Sequence, residues 1–150
     1  MIAVIQRVKN ANVKVDNVII SEIEHGYLIL LGVENGDTDK DIEKLSNKIV
    51  NLRIFEDDNE KMNLSLLDVQ GSALIVSQFT LLANCVHGRR PDFLNAAKPD
   101  TAIPLYEKFC IRIKELGVTN VKTGKFGADM KVSLLNDGPV TIILNSKDLK

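Results

Sequence analysis

The sequence predicts a mixed α/β fold, in which two long helices pack on one side of a curved, barrel-like β-core in β/β/α layers. Seven or eight short runs of apolar or alternating residues indicate strands. Two longer segments repeat apolar residues at helical spacing, one between strands of the first half of the chain and one between strands of the second half. Helices inserted between strands in this way are expected to cover one face of the sheet.

The composition is that of one soluble globular domain spanning residues 1–150, with 45% hydrophobic and 26% charged residues. Nineteen basic and twenty acidic residues give a net charge of −1. This balance argues against a protein that coats nucleic acid non-specifically, but it allows a local basic patch. No apolar run approaches the roughly 20 residues of a membrane span, and the first residues lack the layout of a signal peptide. Cys85 and Cys110 show no CxxC spacing, so we expect free thiols in a reducing cytoplasm.

Short alternating runs near the N terminus indicate a β-meander. These runs span Ile2–Lys9, Asn12–Asp16 and, after a two-residue turn signal, Val18–Ile23. The fully apolar run Tyr27–Gly32 predicts a central strand, because a strand covered on both faces needs no polar side chains.

The first helix is predicted over Asp39–Leu52. Thr38 has the side chain of an N-cap, and Asp41 makes an imperfect capping box three residues later. The apolar stripe of this helix consists of Ile42, Leu45, Ile49 and Leu52. Beyond a short strand, the acidic turn Glu56–Glu60 lacks the alternating oxygen ligands and the central glycine of an EF-hand, so we expect no metal there.

The apolar run Ala73–Leu82 predicts another strand buried on both faces. Three hydrogen-bonding side chains, those of Ser77, Gln78 and Thr80, lie within it. A buried hydroxyl or amide without a partner costs about 1–3 kcal/mol. Either a buried network satisfies these groups or they face a pocket.

The second helix opens at Pro99 and closes at Gly117, a typical C′ residue, with Pro104 expected in its first turn. The loop before it contains Cys85 and His87, but two candidate ligands make no zinc site. The apolar stripe of this helix consists of Ala102, Leu105, Tyr106, Phe109, Ile113 and Leu116.

The C-terminal third of the chain begins with the glycine-rich segment Thr123–Met130, which lacks the spacing of a phosphate-binding loop. Two strands, Met130–Leu135 and Val140–Leu144, flank the strong turn signal Asn136–Pro139.

Three segments together resemble the D-aminoacyl-tRNA deacylase family: Ser77–Leu81, Gly88–Pro91 and Asn136–Thr141. The opening residues Met1–Val8 and the segment Thr123–Met130 are also similar to that family. Each motif is weak alone, but together they run in order through nearly the whole chain. The resemblance implies a cytoplasmic homodimer that hydrolyses the ester between a D-amino acid, or mischarged glycine, and the 3′-terminal adenosine of tRNA. It implies no metal and no organic cofactor.

The resemblance also implies roles for individual residues. Ser77, Gln78, Phe79 and Thr80 would form the catalytic wall of a pocket. The partner subunit would contribute a Gly138–Pro139 unit with a cis peptide bond, whose carbonyls exclude L side chains. Arg7, Phe126 and Met130 would complete this substrate-binding chiral filter, and Arg89, Arg90 and Lys125 would contact the tRNA.

The residues themselves agree with a reaction that uses water rather than a protein nucleophile. The chain offers no Ser–His–Asp set, histidine cluster or metal site. Backbone N–H groups around Ser77–Thr80 can hold an oxyanion, and the ribose 2′-hydroxyl of the substrate can orient the water. Thr80 is the one candidate nucleophile. Two other functions stay open, namely a non-catalytic RNA-binding module and a hydrolase of small-molecule esters.

Overall fold

A computed structural model describes all 150 residues and contains eight strands and two helices. Asp16 and Asn17, between the first two strands, form a tight turn in which both residues have positive φ. No helix is long and apolar enough to cross a membrane. The elements are β1 Ile2–Val15, β2 Val18–Ile23, β3 Gly26–Gly32, α1 Asp39–Asn51, β4 Phe55–Glu56, β5 Met62–Leu64, β6 Ser72–Ser77, α2 Pro99–Glu115, β7 Val121–Thr123 and β8 Lys131–Asn145, with short 3-10 turns at Phe79–Leu82 and Ser146–Asp148.

Strand β1 organises the main sheet, whose order is β2-β1-β3-β6-β7, with β8 also paired to β1. The first half of β1 pairs antiparallel with β3 and its second half with β2, while β8 runs antiparallel along it. Strands β3, β6 and β7 are parallel. The Ser21 hydroxyl of β2 donates to the Thr123 carbonyl of β7, so the two ends of the sheet meet. This nearly closed sheet with two helices confirms the predicted fold class.

Two hydrophobic cores lie on opposite faces of the sheet. Leu28 and Leu74 belong to the core inside the barrel, whereas Ile29 and Ile75 point to the larger core beneath the helices. Alternate side chains of β3 and β6 therefore enter different cores. This double burial explains why both strands are apolar at nearly every position.

The two helices lie side by side on one face of the sheet. The predicted capping box of α1 is confirmed: the Thr38 side chain accepts from the backbone of the first turn, and the Asp41 carboxylate accepts from the Thr38 N–H. Asp39 and Glu43 of α1 pair with Lys108 and Arg112 of α2 at 2.9 and 2.7 Å.

The predicted strand Ala73–Leu82 is wrong in its second half. Strand β6 ends at Ser77, and Phe79–Leu82 forms a 3-10 turn. The last hydrogen bond to the neighbouring strand runs from the Gln78 N–H to the Leu31 carbonyl, at 2.8 Å. The turn is apolar for a different reason than a strand would be: Leu82 is buried beneath it.

The predicted turn Asn136–Pro139 is also wrong, because β8 continues through it as one strand. The register against β1 changes from Gln6↔Thr141 to Val8↔Asn136, so four residues, 137–140, bulge opposite a single residue of β1. The Asn136 side chain closes this bulge by accepting from the Val140 N–H at 2.8 Å. Residue types that usually form turns are found in this bulge, because a bulge needs the same backbone freedom as a turn.

Two smaller expectations also change. The first two runs of the predicted meander form one uninterrupted strand, β1, because β8 pairs along nearly all of it. Pro104 lies inside α2 rather than in its first turn: the helix begins at Pro99 as predicted, but its first turn spans about 3.6 residues and ends before Pro104. Gly117 follows the end of α2 with a φ of +113°, as expected of a C′ glycine.

Candidate active site

A cavity of about 280 Å³ lies where the C-terminal ends of β3 and β6 meet the first turns of α2 and the loop after β7. Most of its lining is apolar. Three of the four predicted catalytic residues and two predicted filter residues meet there. The lining consists of Leu31, Val33, Val76, Ser77, Gln78, Phe79, Ala97, Ala102, Tyr106, Phe126, Gly127, Ala128, Asp129, Met130 and Val132.

The turn after β6 forms one wall of the cavity, and Gly32 of β3 makes room for it. A Cβ atom on Gly32 would lie 2.5 Å from a Leu82 methyl group and 3.1 Å from the Gln78 carbonyl oxygen. Any larger residue would push the turn off the sheet. Gln78 precedes the turn without a side-chain cap, so the N–H groups of Phe79 and Thr80 have no acceptor within the chain. These two donors are available to a ligand.

Thr80 is exposed and does not line the cavity. Its hydroxyl accepts a hydrogen bond from the Gln78 side-chain amide, which fixes both side chains beside the turn. An amide is not a base, so this contact does not activate the hydroxyl as a nucleophile. The one carboxylate that lines the cavity, Asp129, is paired with Lys131 at 3.0 Å.

The opposite wall is built from Phe126 and Met130. Gly124 lets the Met130 sulfur approach, because a Cβ atom on Gly124 would lie 2.7 Å from it. The Lys125 N–H donates to the same sulfur at 3.4 Å. Phe126 packs against Tyr106, with ring centroids 5.9 Å apart. These contacts hold both predicted residues against the cavity.

Tyr106 anchors this wall to the sheet. Its hydroxyl donates to the Ile75 carbonyl of β6 at 2.7 Å. Burial raises the Tyr106 pKa well above its ordinary value, so the hydroxyl stays protonated and donates at neutral pH. The sequence analysis assigned Tyr106 only to the apolar stripe of α2, and no sequence signal separates a cavity-lining tyrosine from a core one.

The predicted tRNA contacts lie on exposed segments around the cavity. Phe79 packs edge-on against Phe93, with centroids 4.9 Å apart, which ties the loop before α2 to the turn after β6. Arg89 and Arg90 are exposed on that loop, and Lys125 is exposed beside Phe126, which lines the cavity. All three cations are therefore accessible from solvent.

Arg7, Gly138 and Pro139 form a separate group that does not line the cavity of the same chain. Arg7 is only 4% exposed, and it donates to the carbonyls of Asp137 at 2.9 Å and Ile54 at 2.6 Å. It thereby holds the β8 bulge against the rest of the chain. Gly138 and Pro139 are exposed on that bulge, and the bond between them is cis, as predicted.

The remaining reactive groups lie outside the cavity. Burial raises the pKa of Cys110 to about 12, so it stays a thiol at neutral pH. Cys85 is exposed on the loop before α2. His25 packs edge-on against Phe55, with centroids 5.0 Å apart. No three histidine, cysteine or acidic side chains come together as metal ligands.

Comparison with known proteins gives one consistent result. The sequence model of the family described as D-Tyr-tRNA(Tyr) deacylase matches residues 4–145. A protein of Sulfurihydrogenibium sp. (strain YO3AOP1) named D-aminoacyl-tRNA deacylase is 60% identical over 149 residues, which are 99% of this chain and 100% of the relative. A protein of the same name from Fusobacterium nucleatum is 57% identical over 148 residues, which are 99% and 97% of the two chains.

Two solved structures share the fold. One, described as c-Myc DNA Unwinding Element Binding Protein, has a TM-score of 0.92 and 43% identity, with 97% of this chain and 98% of that chain covered. The other, described as a probable eukaryotic D-amino acid tRNA deacylase, has a TM-score of 0.80 at 19% identity and covers 95% and 97% of the two chains. The match to the family over nearly the whole length settles the assignment: the chain belongs to the D-Tyr-tRNA(Tyr) deacylase family.

Proposed function

We propose that residues 1–150 form one catalytic domain that hydrolyses the ester between a D-amino acid and the 3′-terminal adenosine of tRNA. The chain is a hydrolase of the D-aminoacyl-tRNA deacylase type. It releases free amino acid and tRNA in the cytoplasm and so removes the wrong enantiomer before translation uses it. The observation that carries this proposal is the cavity wall after β6, which offers backbone donors to a ligand and holds no activated nucleophile.

Water is the attacking group in this mechanism. The oxygen of water adds to the ester carbonyl carbon, and the bond from that carbon to the ribose 3′-oxygen breaks. The 3′-oxygen leaves with a proton, and the neighbouring 2′-hydroxyl of the substrate orients the water. The N–H groups of Phe79 and Thr80 hold the oxyanion, and each such donor contributes about 3–4 kcal/mol.

Ser77 and Gln78 support this wall. The Gln78 amide fixes the Thr80 hydroxyl, and the Gln78 N–H ties the start of the turn to β3. Ser77, the last residue of β6, presents its side chain to the cavity. Phe126 and Met130 face these residues and confine the ester between the two walls.

Enantiomer selection requires a second copy of the chain. We place the exposed Gly138 and Pro139 of one protomer at the mouth of the partner's cavity, because they do not line their own. Their carbonyls accept hydrogen bonds from the substrate ammonium group, and an L side chain collides with this backbone. A D side chain points away, and glycine passes because it has no side chain. The exposed Leu135 and Ile143 on either side of the bulge supply apolar surface for the dimer.

Positively charged side chains hold the acceptor end of the tRNA. Arg89, Arg90 and Lys125 are exposed near the cavity, where they reach backbone phosphates. Such contacts position the substrate without reading its sequence.

A nucleic-acid-binding function without catalysis is the second candidate. One observation favours it, namely that a solved structure of 43% identity is described as a DNA Unwinding Element Binding Protein. Against it, single-strand binding relies on rows of exposed stacking aromatics, whereas Phe79 packs edge-on against Phe93 and Phe126 packs against the buried Tyr106.

One assay separates these functions. The protein is incubated with D-tyrosyl-tRNA, L-tyrosyl-tRNA and the ethyl ester of D-tyrosine, and the loss of each ester is followed. We expect loss of D-tyrosyl-tRNA alone. Retention of tRNA without loss of any ester would support the binding module instead, and consumption of the ethyl ester would support a general esterase.

A further inference from the structure

We propose that one face of α1 binds the sugar–phosphate backbone of the substrate tRNA, away from the cavity; this inference rests on the proposed function. Lys40, Lys44 and Lys48 are spaced four residues apart, so their side chains share one face of the helix. Successive lysines are about 6 Å apart along the helix axis. All three are exposed, and we call them the lysine stripe.

The acidic side chains of α1 do not neutralise this stripe. Asp39 and Glu43 are engaged by Lys108 and Arg112 of the neighbouring helix, and Asp41 accepts hydrogen bonds from Thr38 and Ser146. The lysine stripe itself forms no ion pair. One face of α1 therefore presents uncompensated positive charge to solvent, although the whole chain has a net charge of −1.

Lys44 and Lys48 border an open groove of about 580 Å³ between α1 and the C-terminal segment. The Lys44 ammonium donates to the Leu149 carbonyl at 3.2 Å, which orients its side chain along this groove. The amides of Asn47 and Asn51 and the guanidinium of Arg53 also line it, as does Glu43, whose carboxylate is paired with Arg112 and accepts a hydrogen bond from the Asn47 amide. Ammonium and amide groups side by side suit the phosphate and ribose oxygens of a nucleic-acid backbone. They do not suit a lipid surface, which needs an apolar face beside the charges.

The position of the stripe suits a substrate whose 3′ end enters the cavity. Helix α1 follows a short loop after Val33, which lines the cavity. Its other end lies near the start of β3, where the Tyr27 hydroxyl donates to the Leu52 carbonyl at 3.4 Å. Lys40 is therefore the member of the stripe nearest the cavity and Lys48 the furthest. The single-stranded 3′ end of a tRNA is attached to a duplex stem. The phosphates of this stem are the negative charges that the lysine stripe can contact.

The first test measures the affinity of deacylated tRNA for the protein over a series of salt concentrations. The variant Lys40→Gln/Lys44→Gln/Lys48→Gln removes the stripe with a residue of similar helix propensity. The control Lys9→Gln/Lys14→Gln/Lys114→Gln removes three other exposed lysines and the same charge. We expect the stripe variant to bind roughly tenfold more weakly at about 0.1 M salt, with a salt slope lower by about 2–3. The control should stay within about twofold of the parent. Equal weakening of both variants, or unchanged binding by the stripe variant, would overturn the proposal.

A second test compares two substrates. The stripe variant should show a raised KM for D-tyrosyl-tRNA and unchanged hydrolysis of the D-tyrosyl ester of adenosine, which carries no phosphates. Equal losses on both substrates would contradict a backbone contact. If the parent protein hydrolyses neither substrate, the proposed function fails, while the binding series still decides whether the stripe contacts tRNA.

Discussion

At the scale of single residues, the cavity depends on backbone groups and on side chains that hold them. Gln78 ties the turn to β3 through its N–H and to Thr80 through its amide. Gly32 allows the turn to lie directly on the sheet. The one carboxylate that lines the cavity, Asp129, is paired with Lys131, and no histidine lines the cavity to activate a hydroxyl. Catalysis by such a site comes from donors fixed in place before the substrate arrives.

Thr80→Ala should therefore keep a measurable part of the parent rate, since the Phe79 and Thr80 N–H groups remain. We expect a loss of about tenfold or less in single-turnover hydrolysis of D-tyrosyl-tRNA. Replacing the 2′-hydroxyl of the terminal adenosine by hydrogen should cost more than this substitution. A trapped acyl-threonine, or complete loss in Thr80→Ala while the 2′-deoxy substrate is still cleaved, would show that Thr80 is the nucleophile.

The sequence predicted part of this cavity at the residue scale. Ser77 and Gln78 stood out because polar groups interrupted an apolar run, and Phe79, Phe126 and Met130 came from the family resemblance. Tyr106 was missed because it occupies an ordinary position of an apolar helical stripe. A side chain that lines a cavity and one that fills a core leave the same pattern in a sequence.

At the scale of elements, the functional segments lie where regular structure is interrupted. The turn with the predicted catalytic residues follows the end of β6, and Gly138 and Pro139 lie on the bulge of β8. Apolar periodicity predicted the existence of these strands but not their ends. Where a strand stops depends on which backbone lies opposite, and this partner is fixed by the tertiary structure.

The start of α1 is an element whose stability should depend on pH. Burial raises the pKa of Asp41, but hydrogen bonds from the Ser146 hydroxyl and from Thr38 outweigh it and lower the pKa overall. The stabilisation is present above the ordinary carboxyl pKa of 3.8 and is lost as the pH falls through the lower folded-state value.

Asp41→Asn should therefore be less stable than the parent at neutral pH, by roughly 1 kcal/mol. This difference should shrink as the pH falls from about 5 to about 2, because the parent carboxylate is then neutralised as well. Urea unfolding at each pH measures it. Asp58→Asn, at an exposed turn residue, is the matched control, and an equal pH trend in both variants would remove Asp41 as the cause.

At the scale of the whole molecule, the proposed selection between enantiomers involves two chains. One chain contains the predicted catalytic wall but keeps Gly138 and Pro139 outside its own cavity. Arg7 holds these residues on the surface, because it donates one hydrogen bond to the Asp137 carbonyl of the bulge and another to the Ile54 carbonyl. A chiral filter at this position can act only on the cavity of a partner.

The protein should therefore have about twice the 16.6 kDa mass of the chain in light scattering at micromolar concentration. Replacing both Leu135 and Ile143 by aspartate should shift this mass toward that of the single chain and reduce selection against L-tyrosyl-tRNA. A monomer that hydrolyses D-tyrosyl-tRNA and spares L-tyrosyl-tRNA would exclude the shared site.

The central claim is that D-aminoacyl esters are hydrolysed in the cavity beside the turn after β6. Its most direct test is the initial rate of D-tyrosyl-tRNA hydrolysis by Ala128→Trp, because Ala128 lines the cavity and an indole there would occupy much of its 280 Å³. Thr119→Trp places the same side chain on an exposed loop and serves as the control. We expect kcat/KM to fall by on the order of 100-fold in Ala128→Trp and to stay within about twofold of the parent in the control. Undiminished hydrolysis by a folded Ala128→Trp protein would place the reaction outside this cavity.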